Sequence, residues 1–95
     1  MRLRFTPQAQ KDIEKIYAYL NQRSPSGAYN VSVAIYAAAR FIAERPKASP
    51  LTEKPNVRVK VLRRYRYKIF YHVIGDPVEI LHIRHTSRRP WKSAQ

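Results

Sequence analysis

Hydrophobic positions along the chain change period twice. Arg2-Leu3-Arg4-Phe5 alternates polar and apolar residues, which predicts a short strand. Thr6-Pro7 then reads as an N-cap followed by proline at the first helical position. Ala9, Ile13, Ile16, Tyr17 and Leu20 recur at helical spacing and predict a helix from about Pro7 to Asn21. Lys11, Asp12, Glu14 and Lys15 fall off that stripe, so Asp12 and Glu14 are expected on the helix exterior, at ion-pair spacing from Lys15 and Lys11. Gln22 to Gly27 is turn-like. Ala28, Val31, Ile35, Ala38 and Ile42 form the stripe of a second helix, which Pro46 ends. A short connection between two amphipathic helices predicts an antiparallel helical hairpin.

After a loop carrying Pro50 and Pro55 the period becomes two. Val57, Val59 and Val61 alternate with Arg58 and Lys60; Tyr67, Ile69, Tyr71 and Val73 alternate with Lys68, Phe70 and His72. Gly75-Asp76-Pro77 marks a turn. Val78 to Arg84 is a third β-rich run with apolar residues on both parities, the pattern of a central strand covered on both faces. The fold class is α+β with the order β-α-α-β-β-β, a helical hairpin on a small antiparallel sheet, and residues 1–95 are expected to form one domain.

Charge adds a partner to this picture. The 95 residues hold 19 Lys+Arg against 6 Asp+Glu, a net +13. Residues 56–95 carry 10 basic and 2 acidic side chains, concentrated from Arg58 to Lys68 and again at Arg84, Arg88, Arg89 and Lys92. With 44% hydrophobic residues the chain is not a disordered basic tail. Self-repulsion at this charge calls for an anionic partner: nucleic acid, an acidic protein or a membrane surface. No stretch approaches the roughly 20 apolar residues of a membrane-spanning helix. Met1 to Pro7 lacks the apolar run of a signal peptide, so a cytoplasmic location is expected.

The chemistry is narrow. Without cysteine, and with His82 and His85 three apart on a strand and so on opposite faces, no metal site and no cofactor is expected. The six carboxylates suggest no catalytic pair, and Gly27 and Gly75 make no phosphate loop. Arg, Lys, His, Tyr and Trp remain, which bind phosphates, stack on bases and stabilise a phosphoryl transition state. If the valine face of the second strand meets the helices, Arg58 and Lys60 face outward, either to hold a nucleic-acid backbone or to protect an edge strand from aggregation. His85, beside Arg84, Arg88 and Arg89, is the better general acid or base candidate, with a hydrogen-bonded structural role as the alternative. Trp91 either stacks on a partner or lids the core.

The run from Tyr67 to His85 resembles the C-terminal half of the RelE/ParE toxins of bacterial type II toxin–antitoxin systems. The shared signature is a Tyr-x-Ile-x-Tyr strand (Tyr67, Ile69, Tyr71), a Gly/Asp turn, a Val-x-Ile-Leu strand (Val78 to Leu81) and Arg84-His85 followed by basic residues. The opening strand and Thr6-Pro7-Gln8-Ala9 are also similar to this family. The resemblance implies a cognate acidic antitoxin encoded beside the toxin. It then divides. ParE-like members inhibit DNA gyrase by protein–protein binding; RelE-like members cleave mRNA on the ribosome. Arg84-His85 with Arg88-Arg89-Pro90, and the lack of any tyrosine after Tyr71, lean towards ParE. In the RelE-like alternative Lys68 and Arg88 stand where phosphate-binding arginines are placed, with His85 and Trp91 replacing a catalytic tyrosine. A non-toxic nucleic-acid-binding module is the third possibility. Arg58, Lys60, Arg84, Arg88 and Arg89 are the expected target or nucleic-acid contacts. Tyr19, Tyr36, Arg58 and Lys60 are the expected antitoxin contacts.

Overall fold

The computed structural model of the chain describes residues 2–73 and 75–87. Its elements follow the predicted order: β1 (Leu3–Phe5), α1 (Pro7–Arg23), α2 (Pro25–Glu44), β2 (Val57–Leu62), β3 (Tyr67–His72) and β4 (Val78–His85). Both helices begin with a hydroxyl cap and a proline. Thr6 Oγ1 accepts from Ala9 N at 3.1 Å, and Ser24 Oγ accepts from Gly27 N at 3.1 Å. The expected six-residue turn shrinks to the single residue Ser24. A residue before proline is pushed out of the helical region, so Ser24 is extended (φ −159°, ψ 103°) and breaks the helix. It serves both sides of the break, donating its N–H to Leu20 O while its hydroxyl caps α2.

The four strands are ordered β1-β4-β3-β2. The sheet is mixed, where an antiparallel one was expected: β1 pairs with β4 in parallel, Leu3 beside Val78 and Phe5 beside Ile80. The rest is antiparallel. One crossover, carrying both helices and two strands, joins β1 to β4, so the outermost strand enters by the long connection that a parallel pair requires. Gly75 (φ 69°) supplies the left-handed residue of the turn before β4.

The core lies between the hairpin and one sheet face. Val31, Ile35, Ala38 and Ile42 of α2 meet Tyr67, Ile69, Tyr71, Val78, Ile80 and Ile83. Tyr71 is fully buried, and its hydroxyl donates to Pro46 O at 2.8 Å, tying the loop after α2 to the sheet. On α1 the stripe holds at Ala9, Ile13, Ile16 and Leu20, but Tyr17 is 45% exposed and Asp12 is buried in its stead.

β4 is central, yet its mixed parity has another cause. Tyr71 pairs with Ile80 and Phe70 with His82, which leaves Leu81 as an extra residue. This β-bulge moves the core-facing set from Val78 and Ile80 to Ile83 and His85. The strand is covered by helices on one face only.

Candidate functional site

The bulge, the short β1 and the start of α1 converge at one sheet edge. β1 covers β4 only at Val78–Ile80. Beyond it, Thr6 N donates to Ile80 O and Thr6 Oγ1 to Leu81 O, both at 3.0 Å. Six residues on, Asp12 continues the ladder. Its Oδ2 accepts from Ile83 N at 2.9 Å and lies 2.5 Å from His82 Nδ1, while Oδ1 accepts from Gln8 Nε2 at 2.8 Å. A carboxylate thus stands where a neighbouring strand would offer a carbonyl. The expected Asp12–Lys15 and Lys11–Glu14 ion pairs are not formed among the described residues.

Beside this edge a groove of 570 Å³ opens between α1 and β4. Three residues singled out from the sequence for different reasons, Tyr19, Arg84 and His85, line it together with Lys15 and Tyr67. The His85 ring stands edge-on to Tyr67 (5.2 Å between centroids, 90°), and its Nδ1 lies 2.7 Å from Ser87 Oγ. The Arg23 guanidinium stacks over Tyr19 at 4.0 Å. Asp12 is already engaged by three donors, so the groove presents Lys15 and Arg84 with little to neutralise them.

Strand register places the remaining candidates. Arg58, Lys60 and Leu62 pair with Tyr71, Ile69 and Tyr67, and so lie on the helix side of the sheet. Val57, Val59 and Val61 face away from it, reversing the orientation supposed from the sequence. β2 is an edge strand at the rim of the hairpin, where long cationic stems cover apolar surface and send their heads outward. Arg58 Nη1 donates to Ser49 O (2.8 Å) and Lys47 O (3.3 Å), which pins the loop before β2. Lys60 Nζ lies 4.4 Å from the centre of the Phe41 ring. Tyr36 packs on Phe5 (5.8 Å) beside a smaller cleft between the helices, so Tyr19 and Tyr36 belong to different surfaces.

The far face of the sheet carries two features. Arg4, Glu79 and His72 form a row across β1, β4 and β3. Arg4 Nε donates to Glu79 Oε2 at 2.8 Å with Nη2 on the same oxygen, and His72 Nε2 meets Oε1 at 2.6 Å. The His72 contact, then Arg4, holds the Glu79 carboxyl below its ordinary range. Further along, Lys68 and Arg84 sit directly opposite each other, Arg84 on the strand edge past β1 that also borders the groove, and neither side chain has an acidic partner among the described residues. Like charges in register cost stability unless an anion joins them. His85, one residue past Arg84, points to the other face. The candidate pair Lys68 and His85 is therefore split by the sheet. Arg88, Arg89 and Trp91 lie outside the described residues.

Sequence reasoning missed Asp12 and His82. The signal was a polar residue at a position flanked by Ala9 and Ile16, which helical periodicity scores only as exterior. Among the described residues no group of three metal-ligating side chains occurs, and no helix is long and apolar enough to cross a membrane.

The geometry has counterparts in known proteins. The chain superposes on a chain of the chromosomal ParDE toxin–antitoxin system from P. aeruginosa with a TM-score of 0.81 at 24% identity, covering 92% of this chain and 97% of that one. The isolated E. coli RelE toxin gives 0.61 at 20% identity, covering 93% and 86%. The E. coli RelBE toxin–antitoxin complex gives 0.61 at 20%, covering 93% and 98%. These likenesses establish a shared fold. No curated protein matches the chain. The family model for the ParE toxin of the type II toxin–antitoxin system, parDE, matches residues 3–90. With nearly the whole chain matched, it belongs to the ParE toxin family of type II toxin–antitoxin systems.

Proposed function

We propose that this toxin acts by protein–protein binding to DNA gyrase, and that an acidic antitoxin encoded beside it neutralises it in the cytoplasm. The observation that carries the first part is the split between Lys68 and His85. Acid–base cleavage of a phosphodiester needs its cations and its proton-transfer group around one phosphate. Here Lys68 faces the open side of the sheet, whereas His85 is stacked on Tyr67 on the helix side. Arg58 and Lys60 are turned to the helix side and engaged by loop carbonyls and Phe41. A surface that binds without reacting fits this arrangement better. Purified toxin added to gyrase is expected to block supercoiling or to trap cleaved DNA. Full supercoiling at saturating toxin would overturn the reading.

The antitoxin part rests on charge. Lys15 and Arg84 rim the α1–β4 groove, Tyr19 and Tyr67 wall it, and the chain carries +13. An acidic amphipathic segment that orders on binding would fill such a groove. The neighbouring gene product is expected to co-purify with the toxin and remove its toxicity, and Lys15→Glu with Arg84→Glu to release it. A neighbour that fails to bind at micromolar concentration refutes this part.

The second reading, RelE-like mRNA cleavage, draws support from the Lys68–Arg84 pair, which suits a phosphate backbone on the open face. It predicts codon-linked mRNA cuts in a translation extract.

A further inference from the structure

We infer that the outer face of α2 is a self-association surface that pairs two copies of this chain. The first observation is an absence of charge. Between Arg23 and Arg40 there is no Asp, Glu, Lys or Arg, the longest uncharged run in a chain of net +13. Within it Tyr29, Val33 and Tyr36 are 66%, 48% and 52% exposed. Their spacing of four and three residues puts them on one helical stripe. Tyr36 is held in place by Phe5, so the stripe has one ordered aromatic anchor.

The second observation is the stripe's symmetry. Two antiparallel α2 helices crossing at Val33 set Tyr29 over the partner's Ala37 and Tyr36 beside the partner's Asn30. Ala37 and Asn30 are both exposed. Large residues fall on small or polar ones, and each contact occurs twice, as a two-fold interface demands. Charge decides the occupant. Two chains of +13 repel wherever cationic surface meets. The α2 stripe is where a second copy can approach without opposing like charges. It also offers no cation to an acidic partner, in contrast to the groove rimmed by Lys15 and Arg84.

The association is weak. Two tyrosines that are more than half exposed, with Val33 and the small residues between, bury roughly 400 Å² per copy, about half that of a standard interface. Self-repulsion weakens it further, so salt strengthens the dimer by screening. This inference does not depend on the gyrase reading, because its readout is mass.

Sedimentation velocity of the purified toxin, from about 5 to about 500 μM, provides the test. The weight-average mass is expected to climb towards two chains, sooner at high salt. Val33→Glu and Tyr29→Ala, both at exposed positions, are expected to remain monomeric throughout with unchanged circular dichroism. A monomer across the whole range at high salt overturns the proposal. So does dimerisation that Val33→Glu leaves intact, or one that salt dissociates, since either places the contact elsewhere. A Val33→Glu chain that loses the co-purifying antitoxin, with wild type monomeric, would assign the stripe to the antitoxin and contradict it equally.

Discussion

Asp12 and His82, seventy residues apart in sequence, meet at 2.5 Å where β1 ends and leaves that edge of β4 without a neighbouring strand. The same Asp12 oxygen takes the Ile83 N–H, so one buried carboxylate closes the sheet edge and fixes an imidazole. Replacing Asp12 by alanine leaves a buried amide and a histidine without their acceptor. A loss of about 2–4 kcal/mol is expected in urea unfolding. His82→Ala should cost less alone, and the double variant should lose less than the sum of the two, because the two side chains share this interaction. A change below about 0.5 kcal/mol for Asp12→Ala, the size of an ordinary surface effect, would show that the carboxylate does not hold this edge.

Glu79 links pH to stability through the far-face row. Its carboxyl is held below the ordinary value of 4.5 by His72 and then Arg4. The unfolded chain therefore binds this proton more readily than the native one. The resulting stability is present above pH 4.5 and is lost as pH falls through the native value. Wild type should be more stable than Glu79→Gln at neutral pH, and the gap should narrow steadily in acid. Parallel unfolding curves of the two proteins from neutral pH down to about pH 3, below the ordinary carboxylate range, test this; a gap that widens in acid would contradict it.

The two helix caps should differ in cost. Ser24 Oγ caps α2 in the open, whereas Thr6 Oγ1 caps α1 and also donates to Leu81 O across the sheet. Thermal denaturation is expected to place Thr6→Ala about 1–2 kcal/mol below wild type and Ser24→Ala nearer 1. The reverse order would mean that the Thr6 link to β4 contributes nothing.

Lys68 and Arg84 offer a separation of stability from function. Lys68→Glu turns a like-charge pair into an opposite one, so the melting temperature should rise, by the equivalent of about 0.5 kcal/mol. Growth inhibition by the induced variant is nonetheless expected to fall, because the uncovered cationic patch is lost. A variant that is more stable and fully toxic would remove this patch from the target-binding surface.

Much of this was legible in the sequence. The period change near Val57 located the strands and Thr6-Pro7 marked the first helix start, whereas Ser24-Pro25 repeats that signal inside a stretch that reads as a turn. What escaped notice depends on neighbours in space. Alternation in β2 identifies two faces but not which of them meets the helices, and at a sheet rim the cationic face can be the covered one. The mixed parity of Val78–His85 has the same appearance for a doubly covered strand and for a strand with a bulge at Leu81; only the pairing with Tyr71 and Phe70 separates them. Asp12 looked exterior because helical period counts polarity, while its burial comes from a strand edge seventy residues away. Lys68 is a candidate through the resemblance to RelE-like enzymes and His85 through its type and basic neighbours, and the sheet sets them on opposite faces.

The gyrase reading rests on that separation, and the most direct test examines both targets in the same cells. Wild-type and His85→Ala toxin are induced in bacteria, and plasmid supercoiling and mRNA integrity are followed together. Both proteins are expected to stop growth with supercoiling impaired and mRNA intact, because His85 takes no part in cleavage. Codon-linked mRNA cuts that vanish with His85→Ala, with supercoiling normal, would contradict it.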